Sequence, residues 1–227
     1  MATRKKLDIL YEDNHLIAVN KPVGALVHGD STGDQTLADQ VKRYVKKKYN
    51  KPGDVFLGVI HRIDRPVSGV VIFARTSKAL ARMNDKIRDR SIHKKYTAIV
   101  WERPEEFSGT LVHYIIKDRS KNTVKAHKKE KRGSKKAVLH YRFLAEVSHY
   151  IKLDIDLETG RSHQIRAQLA SIGCPIVGDR KYGYHKFNED KSICLHCREM
   201  SFEHPVQKTD ITIKAKEPGT PIWSLFN

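Results

Sequence analysis

The 227-residue chain holds only three cysteines, Cys174, Cys194 and Cys197. They cannot all pair with one another, and so sparse a usage fits a reducing compartment rather than a disulfide-stapled secreted domain. Cys194-Leu195-His196-Cys197 has the spacing of half a zinc site, but no second Cys or His pair stands at a matching distance, so no metal is expected. Long hydrophobic runs are also missing. The longest extend to about six residues, far short of a bilayer span, and the opening 1–6 is basic with no apolar stretch behind it to make a signal peptide. No Walker-type glycine loop and no aromatic RNA-recognition consensus occurs, which leaves the familiar cofactor routes unsupported. The expectation is therefore a cytoplasmic protein that needs no cofactor.

Acidic residues are scarce relative to basic ones. Lys and Arg total 43 against 26 Asp and Glu, a formal net charge of +17. Such a field attracts polyanions, which makes nucleic acid the leading partner class, with an anionic membrane surface or a merely well-solvated basic exterior as the alternatives. The charge concentrates in two places: Lys42, Arg43, Lys46, Lys47 and Lys48 on an expected helix, and residues 117–136, with ten Lys or Arg and two acids. The helix face reads equally as a solvated surface or a phosphate-binding stripe. Strand-like segments flank residues 117–136, so a long basic hairpin suited to contacting phosphates is predicted there.

Short strands dominate the pattern. Leu7–Asp13 and His15–Asn20 read as strands about a turn, and Lys21-Pro22-Val23-Gly24 breaks them. Thr36 with Asp39 opens a helix whose Leu37, Val41 and Val45 share a face. Ser77 is the expected cap of a second helix carrying Leu80, Met83 and Ile87. A strand is predicted to start at Tyr96, and Ile151–Leu157 alternates strictly, as a half-buried antiparallel strand does. Ile165, Leu169 and Ile172 stripe a third helix stopped by Gly173, with His163 and Arg166 bordering that stripe. Two short strands, within 194–202 and 210–215, close the chain. The expected fold is α+β, a mixed and largely antiparallel sheet flanked by helices and loops, in a single domain over residues 1–227.

The densest chemistry lies in His61-Arg62-Ile63-Asp64-Arg65-Pro66-Val67-Ser68-Gly69. Apolar runs at 55–60 and 70–74 frame it as a tight turn between two buried strands, which holds Asp64 at a strand end where a working carboxylate could sit. An Asp before a turn also commonly caps backbone amides or pairs with a neighbouring Arg, and local sequence alone does not choose.

The separated motifs choose. His61-Arg62-Ile63-Asp64 with Ser68-Gly69 resembles the His-Arg-Leu-Asp and Thr-Ser-Gly signature of the RluA-type RNA pseudouridine synthases. Tyr11-Glu12-Asp13 through Asn20-Lys21-Pro22-Val23-Gly24 resembles that family's opening motif, Lys95-Tyr96-Thr97-Ala98 its Lys-x-Tyr-x-Ala strand, and Gly160–Arg166 its Gly-Arg-x-His-Gln-Ile-Arg motif. Gly178-Asp179-Arg180-Lys181-Tyr182-Gly183 and the Leu195-His196 to His204-Pro205 segment fit as well. Ile63 and Val67 depart from the commoner Leu and Thr by swaps of similar size. The opening motif begins near Leu7, so the resemblance implies a compact member without the small N-terminal RNA-binding domain.

The resemblance implies uridine-to-pseudouridine isomerisation in ribosomal or transfer RNA, or both, by a monomer that needs no obligate protein partner and no membrane. Asp64 is then the catalytic carboxylate, attacking the anomeric carbon or removing a ribose proton; both readings stay open. Burial favours the neutral form of a carboxylate, and a fixed Arg nearby opposes it; Arg166 corresponds to that cation and Tyr96 to the active-site Tyr that stacks on uracil. Arg62 would hold the flipped nucleotide, and His61, Arg161 and His163 join it in RNA binding. A noncatalytic RNA-binding protein on the same fold is the main rival, and a metal-free nuclease or nucleoside hydrolase using Asp64 with His61 the second.

Overall fold

The computed structural model describes residues 7–29 and 33–226; the basic opening 1–6 lies outside the described residues. The fold is α+β, as the sequence predicts. The chain divides into two compact units, one of residues up to Ile92 with Glu199–Lys216, the other of His93–Arg198 with the residues from Glu217 onward.

In the first unit β1 (Ile9–Glu12) runs antiparallel to β2 (Leu16–Lys21), which pairs antiparallel with β4 (Ser68–Ala74). β4 is buried along its whole length, and Leu16 to Val19 are buried beside it, which explains the unbroken apolar runs in both. Asp13 turns the chain between β1 and β2: its Oδ1 accepts from the amides of His15 and Leu16, each at 2.7 Å. The expected strand over 55–60 shrinks to β3 (Gly58–Val59), with Phe56 exposed. Gly58 lets the Leu80 side chain pack close, since a Cβ there would lie 2.7 Å from it and force it to shift.

Helix α1 (Leu37–Lys48) starts with the expected capping box between Thr36 and Asp39. It buries Leu37, Val41 and Val45, each contributing about 1.5–3 kcal/mol of transfer free energy. Helix α2 (Ser77–Arg88) is capped one residue earlier than predicted, by the Thr76 hydroxyl accepting from the Ala79 amide. Thr76 has the extended backbone that a cap needs, whereas Ser77 is already helical.

The second unit holds five strands in the order β5 (His93–Val100), β9 (Tyr150–Leu157), β8 (Lys135–Val147), β6 (Ser108–Asp118) and β7 (Thr123–His127), neighbours antiparallel. β5 begins three residues before Tyr96; its lysines are partly buried, which charge-based reading puts outside. Helix α3 (Gln164–Ser171) follows β9, and Gly173 at φ 80° ends it. A single-turn helix α4 (Pro221–Ser224), not foreseen, buries Trp223. Strand β10 (Leu195–Glu203) begins in this unit and ends in the first, where its last residues pair with β11 (Asp210–Lys214).

Candidate active site

The Asp64 loop joins β3 to β4. The Asp64 carbonyl accepts from the Val67 amide at 3.0 Å, closing a turn around Arg65-Pro66. Ile63 and Val67 on either side are buried, so the two departures from the family pattern are core-filling residues. Asp64 is half-buried and Arg62 exposed. His61 is buried and its Nε2 accepts from the Ile72 amide at 3.1 Å, which anchors the loop to β4 and fixes the remaining ring proton on Nδ1.

The loop is gripped from the other side by the segment after β2. The Arg65 carbonyl accepts from the Gly24 amide at 2.9 Å, and Arg65 Nε donates back to the Gly24 carbonyl at 3.0 Å. Gly24 sits at φ 83°, a conformation that favours glycine. Arg65 also pairs with Asp34 at 2.9 Å. Lys21 completes the grip: fully buried, its Nζ donates to the carbonyls of Pro22 at 3.1 Å, Ala25 at 2.9 Å and Arg65 at 3.1 Å. Burial pushes the Lys21 ammonium down to about 7, with Asp64 pulling it up and Arg65 pushing it down. Three convergent acceptors match the three donors of an ammonium. Sequence reading places Lys21 in a chain break and in the family's opening motif but gives it no role; its signal is a Lys directly ahead of Pro-Val-Gly.

In the second unit, Arg166 on α3 is buried and held in a planar fork by Asp179: Nε to Oδ2 at 2.7 Å and Nη2 to Oδ1 at 2.9 Å. Asp179 is itself 1% exposed, so this is a desolvated pair with its geometry set at both ends. The Tyr182 ring lies 4.9 Å from the guanidinium. Its hydroxyl accepts from the Val124 amide at 2.9 Å and stands 2.8 Å from His163 Nδ1. Arg166 and His163 thus meet around Tyr182, a grouping that spacing along the chain did not reveal.

His163 adopts φ 50° at the entry to α3. Gln164 locks that entry, accepting from Thr159 Oγ1 at 2.8 Å and the Arg161 amide at 3.0 Å while donating to the Val138 carbonyl at 3.1 Å. Arg161 Nε donates to the Lys136 carbonyl at 3.1 Å. Tyr96 stands on β5, buried, opposite Ile155 of β9. Among the described residues no cluster of three or more His, Cys, Asp or Glu could hold a metal, and the three cysteines are buried and free.

Comparison with known proteins agrees with the motifs. Residues 15–171 match the RNA pseudouridylate synthase family model. The chain is 34% identical over 226 residues to a ribosomal large subunit pseudouridine synthase D of Xylella fastidiosa, covering 93% of this chain and 66% of that protein. It is 32% identical over 226 residues to the protein of the same name from Zymomonas mobilis, covering 93% of this chain and 69% of that one. The chain thus spans about two-thirds of the length of these curated relatives. The human RNA pseudouridylate synthase domain containing 4 superposes with a TM-score of 0.79 at 23% identity, over 96% of this chain and 92% of that one, a likeness of fold. With the family model matching most of the chain and these relatives about one-third identical, the chain belongs to the RNA pseudouridylate synthases.

Proposed function

We propose that the chain isomerises uridine to pseudouridine in RNA, with ribosomal RNA the first substrate class to examine and transfer RNA the second. Relatives named for the large ribosomal subunit support the first choice. The observation that carries the reading is the Asp64 turn, whose backbone is fixed by Gly24 and Lys21 while the carboxylate keeps partial exposure. In the proposed reaction the bond from ribose C1′ to uracil N1 breaks, the base turns, C1′ bonds to C5, the C5 proton leaves and N1 takes up a proton. Atoms and charge balance without a cofactor, and Asp64 supplies the carboxylate. Residues 1–227 act as one catalytic domain in this reading.

The resemblance assigns Tyr96 to stacking on uracil and Arg166 to stabilising negative charge. The fork with Asp179 supports the second role by orienting the guanidinium in advance. A stacked uridine is out of reach, so the nucleotide is extruded at a cost of a few kcal/mol, and Arg62 holds it out in this reading, which its exposure supports. Arg161 and His163 contact the RNA beside α3, and His61 fixes the loop from below. The test is incubation of the full chain with large-subunit ribosomal RNA from cells lacking the enzyme. New pseudouridine in an intact RNA is expected; released uracil or cleaved RNA would support a hydrolase instead.

A further inference from the structure

The basic segment 117–136 is built into β6, β7 and the start of β8, with two ordered loops between them. Asp118 Oδ1 caps the first loop, accepting from the Ser120 amide at 3.0 Å, Ser120 Oγ at 2.6 Å and the Lys121 amide at 3.2 Å. Ser134 Oγ closes the second against the Lys131 amide at 3.1 Å and carbonyl at 2.6 Å. The root of this arm is pinned. Ile115, Val124 and Ala137 pack with Ala167 of α3, Tyr182 lies against them, and the Tyr182 hydroxyl takes the outward amide of Val124.

Strand register then decides what the other face carries. Tyr114 is paired with His127 and Lys136, and Ile116 with Lys125, so these side chains share the face opposite Ile115 and Val124. Lys125 and Lys136 on it are exposed and Tyr114 is half-buried, which sets cations around an aromatic surface. Charge pairing elsewhere contrasts with the arm. Arg142 and Arg198 share Asp154, and Lys152 pairs with Glu217, yet none of the ten Lys and Arg of 117–136 joins an ion pair among the described residues. Lysines do blunt an edge strand such as β7 against aggregation, but that needs one or two residues and leaves the loop cations unexplained.

We propose that this arm is a docking surface for the RNA phosphate backbone, resting on the assignment of RNA as substrate. Its capped loops fix the backbone that carries these cations before RNA arrives, which lowers the ordering cost of binding. Each neutralised phosphate steepens the fall of log K with log salt by about 0.9 for duplex or about 0.7 for single strands.

The test replaces Lys121, Lys128 and Lys131, all in the loops, by Gln in the full chain and measures binding to a large-subunit ribosomal RNA fragment across a salt series. The expected result is a slope smaller by about 2 to 3 and a Kd raised roughly tenfold or more at low salt. Arg at the same positions is expected to restore the slope. Replacing Lys42, Lys46 and Lys47 of α1 by Gln controls for general charge. An unchanged slope, or a loss no greater than the α1 control gives, would overturn the proposal. So would lost binding to phosphatidylserine vesicles with RNA binding intact. Because the readout is binding, a wild-type chain that binds through the arm but makes no pseudouridine would defeat the functional assignment and leave the arm standing.

Discussion

Lys21 beneath the Asp64 turn offers a sharp stability test. Its folded-state proton is released near pH 7, against 10.5 for an ordinary lysine, because the ammonium is desolvated. Between these values the unfolded chain binds more protons than the folded one, so the Lys21 contribution to stability rises with pH through this window and is lost as pH falls to 7. Integrated from about pH 6.5 to about pH 9.5 at 1.36 kcal/mol per pH unit, the rise is roughly 3 kcal/mol. Other groups oppose it: burial pushes Tyr11 up to about 12, Cys174 up to about 11 and Cys194 up to about 12, and each lowers stability as pH rises. Lys21→Met keeps those groups and the side-chain length while removing the charge. It also takes its donor from the Ala25 carbonyl, at about 1–3 kcal/mol, while the carbonyls of Arg65 and Pro22 keep the amides of Gly24 and Ala25, and the loss is partly offset by relief of the buried charge. Urea unfolding of both proteins at several pH values gives the difference directly. The advantage of wild type over Lys21→Met is expected to grow by about 3 kcal/mol across that range. A difference constant with pH would refute the assignment of a buried, titrating ammonium to this site.

Asp179→Asn should destabilise the protein by about 3–5 kcal/mol in urea unfolding, because it leaves the Arg166 guanidinium buried beside a neutral amide; a loss under about 1 kcal/mol would mean that Arg166 does not depend on the fork. Glu12 is expected to report on acid stability: burial pushes its carboxyl up, but Lys48 and the hydroxyls of Tyr49 and Tyr44 together hold it below its usual value. Its stabilisation is then present above the unfolded-state carboxyl range and lost as pH falls through the lower folded value, so Glu12→Gln should cost about 1–3 kcal/mol near neutrality and little in strong acid. Equal costs at both pH values would contradict this. Gly178→Ala should express poorly or melt far below wild type, since the residue lies at φ +87° and its new Cβ would stand 2.5 Å from the Ser192 carbonyl oxygen; a wild-type melting curve would show that the loop yields easily. Arg62→Ala should keep the wild-type melting curve while lowering pseudouridine formation, and unchanged activity would remove Arg62 from the mechanism.

Much of this was legible in the chain because local rules carried it. The capping box at Thr36, the alternation through β9 and the glycine stop at Gly173 each depend on residues within a few positions of one another. The Asp64 turn announces itself through Pro66 and Gly69 between apolar runs. What escaped depends on distance along the chain. Arg166 finds its carboxylate thirteen residues away, across the end of a helix and a loop. Lys21 is visible in the sequence only within a chain break and a family motif, and its burial depends on the return of Ala25 and Arg65. The apolar run at 55–60 lacks alternation, so periodicity could not show that only Gly58–Val59 pairs. In the basic segment the hairpin was readable, but its docking through Tyr182, more than fifty residues downstream, was not.

The central claim is that Asp64 performs the chemistry on uridine. The measurement is pseudouridine content in large-subunit ribosomal RNA and bulk transfer RNA from cells lacking the enzyme, after incubation with wild type or with Asp64→Asn at matched folded fraction. The account expects new pseudouridine with wild type only, while both proteins bind RNA with the same salt dependence. Equal product from Asp64→Asn, or none from wild type on either RNA despite salt-sensitive binding, would contradict it.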